Sequence, residues 1–217
     1  MKGCCIGLIL ALAQVACGGI TPVSEWHHIS GSAGFEDVQS YDQSAAYPIS
    51  ASATGVGYYG DPVTASSSAG NHAVAASVSG SIFSGIATAT SIYVFTPQYA
   101  TLELQIAGAA GRYAWDGCEL EYRLTDRTLN QTILSYTSPT SPDDELVLVD
   151  DFHRIAVHTG HEYELFLSAV ASQGDDSMPS SWLTAEVTCI PAPGAFLLSG
   201  IGATGVWLHR RRSRASR

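Results

Sequence analysis

The chain has 217 residues, 46% of them hydrophobic, and a formal net charge of −10. All 20 acidic residues lie between Glu25 and Glu186, where lysine is absent and only Arg112, Arg123, Arg127 and Arg154 are basic, so that segment carries a formal −16. A negative field of that size repels phosphate backbones and acidic lipid surfaces. It excludes nucleic acid as a partner and leaves solubility, divalent cations or basic partners as uses for the charge.

Residues 1–19 carry one positive charge at Lys2, an apolar run over 3–13, and small residues at Ala16, Cys17, Gly18 and Gly19. That order is the grammar of a signal peptide. The run is too short to span a bilayer, which needs about 20 apolar residues, so the segment is expected to be removed. A rival reading, lipidation at Cys17, is disfavoured by Gln14 in the place where lipoprotein signals carry an aliphatic residue.

The region 20–190 reads as one extracellular all-β domain, with period-2 alternation and no long run at helical spacing. Alternation begins over 49–59 and ends at the turn signal Gly60-Asp61-Pro62; 73–81 and 87–95 repeat it less strictly. Over 101–107, Leu102, Leu104 and Ile106 oppose Thr101, Glu103 and Gln105, as one buried sheet face requires. Over 118–125, Cys118, Leu120, Tyr122 and Leu124 likewise oppose Glu119, Glu121, Arg123 and Thr125. Further strands are expected over 131–136, 146–149, 152–157, 162–171 and 182–189, about ten in all, with loop composition over 138–144 and 172–180. Many short strands separated by Gly and Pro point to a two-sheet β-sandwich or jelly roll.

The C-terminal segment 191–217 has three parts: the motif Pro191-Ala192-Pro193, an uncharged apolar helix over 194–208, and a tail 209–217 with Arg210, Arg211, Arg212 and Arg214. Cations on one side of an apolar span stay on the cytoplasmic side, so the domain is expected outside. Residues 192–208 make roughly 25 Å of helix at 1.5 Å per residue, short against a hydrocarbon core of about 30 Å. This layout resembles the PEP-CTERM sorting signal of exported bacterial proteins, with both prolines matched and Ala192 where the family motif carries Glu. The resemblance covers residues 191–217. It implies an exosortase-like membrane protease as processing partner, membrane attachment through the C-terminal helix, and placement at the cell surface or in an extracellular polysaccharide matrix. A plain uncut membrane anchor is the alternative.

Of the five cysteines, only Cys118 and Cys189 fall within 20–190. In an oxidising compartment they are expected to form a disulfide that would stabilise by about 4 kcal/mol; two buried thiols are the alternative.

No catalytic, cofactor or metal site is assigned from the sequence. His158-x-x-His161, with Asp150, Asp151 and His153 nearby, flanks the turn residues Thr159-Gly160 and so lacks the helix a two-histidine zinc motif needs. The acidic clusters 143–145 and 175–176 have no calcium-loop spacing. Ser32 lies between glycines at Gly31 and Gly34 but without the strand-to-helix elbow of a serine nucleophile. Sugar binding has better candidates, because β-sandwiches hold saccharides on exposed aromatic rings. Tyr113 and Trp115 are two apart, hence on one face if extended, beside Asp116; Trp26, Tyr58, Tyr59 and Trp182 are others. The bland reading is aromatics that plug the core. The leading expectation is an exported structural or interaction protein of the cell surface or matrix, with no reaction assigned. The alternative is a carbohydrate-binding module acting on matrix polysaccharide; a secreted hydrolase ranks third.

Overall fold

The computed structural model describes residues 19–33, 36–42, 48–56, 62–79, 85–111, 117–138, 146–173 and 180–191. Twelve strands lie among them: β1 (Ile20–Ala33), β2 (Glu36–Asp42), β3 (Ile49–Val56), β4 (Pro62–Gly70), β5 (Ala73–Ser79), β6 (Gly85–Pro97), β7 (Thr101–Ala110), β8 (Glu119–Asp126), β9 (Gln131–Thr137), β10 (Val147–Ala156), β11 (Tyr163–Gln173) and β12 (Ser180–Ile190). They form two six-stranded antiparallel sheets, β2-β1-β6-β11-β8-β9 and β10-β7-β12-β5-β4-β3, packed as a β-sandwich. The expected all-β, two-sheet architecture is therefore present.

Three strands have no counterpart among the sequence expectations. β4 has Val63, Ala65, Ser67 and Ala69 inward and Thr64, Ser66 and Ser68 outward, an alternation of small side chains that the buried Ser67 interrupts. β1 inverts the usual pattern, with His27 fully buried while Trp26 on the other face stays partly exposed. It also bulges between Pro22 and Ser24, beyond the stretch from His27 to Ala33 that β2 pairs, which is where a strand tolerates proline. β2 is short and charged. Conversely, the expected strands 146–149 and 152–157 are one strand, β10, running unbroken through Asp150-Asp151. β10 is a sheet edge, and carboxylates on an edge also discourage unwanted pairing.

The core between the sheets has two zones. Under β7, β8, β11 and β12 it is built from large side chains: Leu102, Leu104, Ile106, Leu120, Leu124, Leu165, Leu167 and Leu183, all 1% exposed or less. Under β1, β3, β4 and β6 small side chains predominate, with Ala33, Ala53, Ala65, Ala69, Ala87 and Ala89 buried around Ile29 and Val63. There the layers nearly touch. A Cβ placed on Gly31 of β1 would stand 3.5 Å from the Ala65 carbonyl oxygen and 3.7 Å from the Ala53 Cβ, both in the facing sheet. Asn71 and His72 join β4 to β5 with φ of 49° and 56°, the positive pair that a two-residue type I′ hairpin turn requires.

Both ends of the domain meet at one pole of the sandwich. The Gly19 carbonyl accepts a 2.7 Å hydrogen bond from Gln98 N–H in the β6–β7 turn, and a Cβ on Gly19 would lie 3.2 Å from Cys189 Cβ near the end of β12. At the opposite pole Gly111 N–H bonds Ser180 O, Gly117 N–H bonds Ser172 O, and Ser181 Oγ donates to Val170 O at 2.8 Å.

That polarity corrects the disulfide expectation. Cys118 immediately precedes Glu119, which pairs with Val170, so it belongs to the Ser181 pole. Cys189 lies eight residues farther along β12, about 26 Å at 3.3 Å per residue, beyond the reach of any S–S bond. Both cysteines are buried and no disulfide joins them.

Apart from Gly19 and Pro191, the expected signal peptide, sorting motif, helix and arginine tail lie outside the described residues. No helix among the described residues is long and apolar enough to cross a membrane.

Candidate functional site

A groove of about 520 Å³ lies on the outer face of the second sheet, where β3, β4, β5 and β12 run side by side. Its floor follows from strand register. Ser52 pairs with Ser66, Ser66 with Ser77 and Ser77 with Ser180, so one outward serine from each of four adjacent strands stands in a row. Ser66 Oγ and Ser77 Oγ share a hydrogen bond of 2.7 Å. Two residues along each strand the next row reads Ser50, Ser68, Ala75 and Trp182.

Trp182 forms one wall of the groove. Its cross-strand neighbours are Ala75 on β5 and Ala109 on β7, too small to cover an indole, and the residue is 43% exposed. The row continues to Leu148 on β10, which pairs with Ala109 and is also exposed. No charged side chain lines the groove. Each serine hydroxyl both donates and accepts, and an open indole face offers apolar area without losing its N–H. Hydroxyls beside an uncovered ring suit a ligand that is polar at its edges and apolar on its faces.

Two other polar clusters tie elements of the fold together by hydrogen bonds, and a third brings buried imidazole nitrogens close to a carboxylate without a hydrogen bond. At the pole where the chain ends meet, Asp126 is 2% exposed and accepts from Leu129 N–H at 3.0 Å; His161 Nδ1 lies 2.8 Å from its other oxygen. Burial pushes this carboxyl upward, but the hydrogen bonds from His161 and Leu129 outweigh it and hold the group below the usual range. Tyr163 OH accepts from His158 N–H, tying the β10–β11 turn to the same knot. On the side where edge strands β9 and β10 face each other, Tyr122 stacks on Tyr136 and donates to Asp151, with His153 Nε2 at 3.4 Å. Burial first, and the bond to Asp151 second, drive the Tyr122 phenol well above its ordinary value. Near the β4–β5 turn, Glu25 Oε1 lies 3.3 Å from His27 Nε2 and 3.7 Å from His72 Nδ1. Burial pushes His72 down against the pull of Glu25, and its ring leans on Tyr93 at 4.0 Å.

The histidines and carboxylates that looked densest in the sequence are thus divided between two knots, with His161 on Asp126 and His153 beside Asp151 and Tyr122. No three His, Cys, Asp or Glu side chains among the described residues form a metal-ligand set. Ser32 sits within β1, one residue from its end, in register with Asp37 and Ile86. Trp26 lies on the outer face of the first sheet against His28 and Tyr41.

Tyr113, Trp115, Tyr58 and Tyr59 lie outside the described residues. The groove residues other than Trp182 were missed, although serines at alternate positions, Ser50 and Ser52, then Ser66 and Ser68, were a signal for a hydroxylated outward face. No protein-family model matches the chain, and no curated protein matches it.

Proposed function

We propose that this chain is an exported interaction protein that binds saccharide through the serine-lined groove beside Trp182. Its C-terminal signal holds it by a membrane helix, and an exosortase-like membrane protease processes it there, at the cell surface or matrix. The observation that carries the binding reading is Trp182 itself. An indole flanked by alanines on both neighbouring strands is open to a sugar ring, and the adjoining serines supply hydroxyl partners. Sequence features support the export and anchoring: the apolar leader over 1–19, the Pro191-Ala192-Pro193 motif and the arginine cluster at 210–214.

Two experiments test this. Retention of the full chain on immobilised polysaccharides, lost in Trp182→Ala and kept in Trp26→Ala, supports the groove; equal loss in both variants, or no retention at all, overturns it. Mass spectrometry of the mature protein supports processing if its end falls at 191–193, and overturns it if Arg217 is retained on most molecules.

A further inference from the structure

The groove also carries the shape of its ligand, and, resting on the saccharide reading above, we infer that it takes an unbranched, uncharged polysaccharide held extended across the strands, of the β-1,4-linked kind. The row Ser52, Ser66, Ser77 and Ser180 crosses four strands. Adjacent strands are about 4.8 Å apart, so the row spans roughly 14 Å. One strand spacing is close to the rise of one ring in an extended β-1,4-linked chain. Successive rings therefore come level with successive strands, and because each ring is turned over relative to the last, their hydroxyl edges point alternately to the two sides of the chain. An α-linked chain that coils leaves a straight row after one or two rings.

The second row fixes the width. It stands two residues away, about 6.8 Å along the strands, and carries Ser50, Ser68 and, at its far end, Trp182. A ribbon-like chain lying between the rows has hydroxyls on both margins, and a terminal ring face meets the indole. Ala75 occupies the place between Ser68 and Trp182, leaving space for that ring to approach.

Charge selects among extended chains. The groove has no charged lining, while the segment around it carries a formal −16. A polyuronate would gain no cationic partner in the groove and would meet the repulsive field of the whole domain.

Binding of the full chain in non-ionic detergent to three probes tests the inference: β-1,4-linked oligosaccharides of increasing length, dextran and alginate. Affinity is expected to rise with oligosaccharide length until the chain spans the four strands and then level off, with dextran and alginate about tenfold weaker or worse. The Ser66→Val/Ser77→Val double variant loses the length dependence, and Ser180→Ala, at the exposed end of the row, shortens it should the double variant fold poorly. Dextran bound as well as the extended chain, alginate bound better, or affinity independent of length overturns the extended, neutral ligand while leaving saccharide binding in place. No retention of any of the three overturns the saccharide reading itself.

Discussion

The hydroxyl of Ser67 on β4 donates to the backbone carbonyl of Ser30 on β1, 3.2 Å away in the opposite sheet. Side chains rarely reach the backbone of a facing layer, because stacked sheets normally stand about 10 Å apart. Here the alanines around Ser67 bring the layers together. The sandwich is consequently a wedge, thick where leucines fill it and thin where alanines do.

The two zones should respond oppositely to changes in side-chain volume. In the thin zone, Gly31→Ala meets only ordinary contacts and should be near neutral, whereas Ala65→Leu should cost about 1–3 kcal/mol by overpacking. In the thick zone, Leu104→Ala should cost about 2–5 kcal/mol through the cavity it leaves. Urea unfolding of the three variants checks the ranking, and a tolerated Ala65→Leu would contradict the wedge.

Asp126 should set the acid limit of stability. Its folded pKa is depressed, so its contribution is fully present above the unfolded carboxylate value of about 3.9 and is lost as pH falls through the folded value. Asp126→Asn should cost about 1–3 kcal/mol at neutral pH, with the difference from wild type shrinking on acidification. Melting curves across that range test it; a constant difference would place the effect elsewhere.

Tyr122 acts at the other end of the scale. Its folded pKa is raised, so its contribution is complete below the unfolded tyrosine value of about 10 and is lost as pH rises through the folded value. Spectroscopic titration should show a late-ionising group of phenols, Tyr122 together with Tyr93 and Tyr163, which burial also raises. Tyr122→Phe should shrink that late phase by one phenol and leave Asp151 without the Tyr122 donor.

Trp182→Ala should weaken saccharide binding roughly thirtyfold, about 2 kcal/mol. Stability should change by less than about 0.5 kcal/mol, as for an exposed residue. Calorimetry paired with urea unfolding separates the two. A large loss of stability would mean that the indole is a packing element.

Legibility of the sequence depended on contrast between strand faces. Where leucines oppose charges, as in β7 and β8, period-2 reading locates the strand and its buried side. In β4 the buried Ser67 puts serine on both faces among small side chains, and in β1 a buried histidine faces away from a half-exposed tryptophan, so the same reading loses its contrast. The groove was harder still. Ser52 and Ser180 share a row only because β3, β4, β5 and β12 come into register, and no local pattern encodes pairing across more than a hundred residues. The cysteine pair failed for a related reason: two thiols in one compartment say nothing about which pole each occupies.

The meeting of Gly19 and Cys189 at one pole makes the domain a post rooted at its base. Under the proposed anchoring, a tether beyond Pro191 would hold that base against the surface, with β12 climbing away from it as far as Ser180. So anchored, Trp182 and the serine rows would stand about 25 Å above the root at 3.3 Å per residue, within reach of a polymer lying over the surface rather than in it.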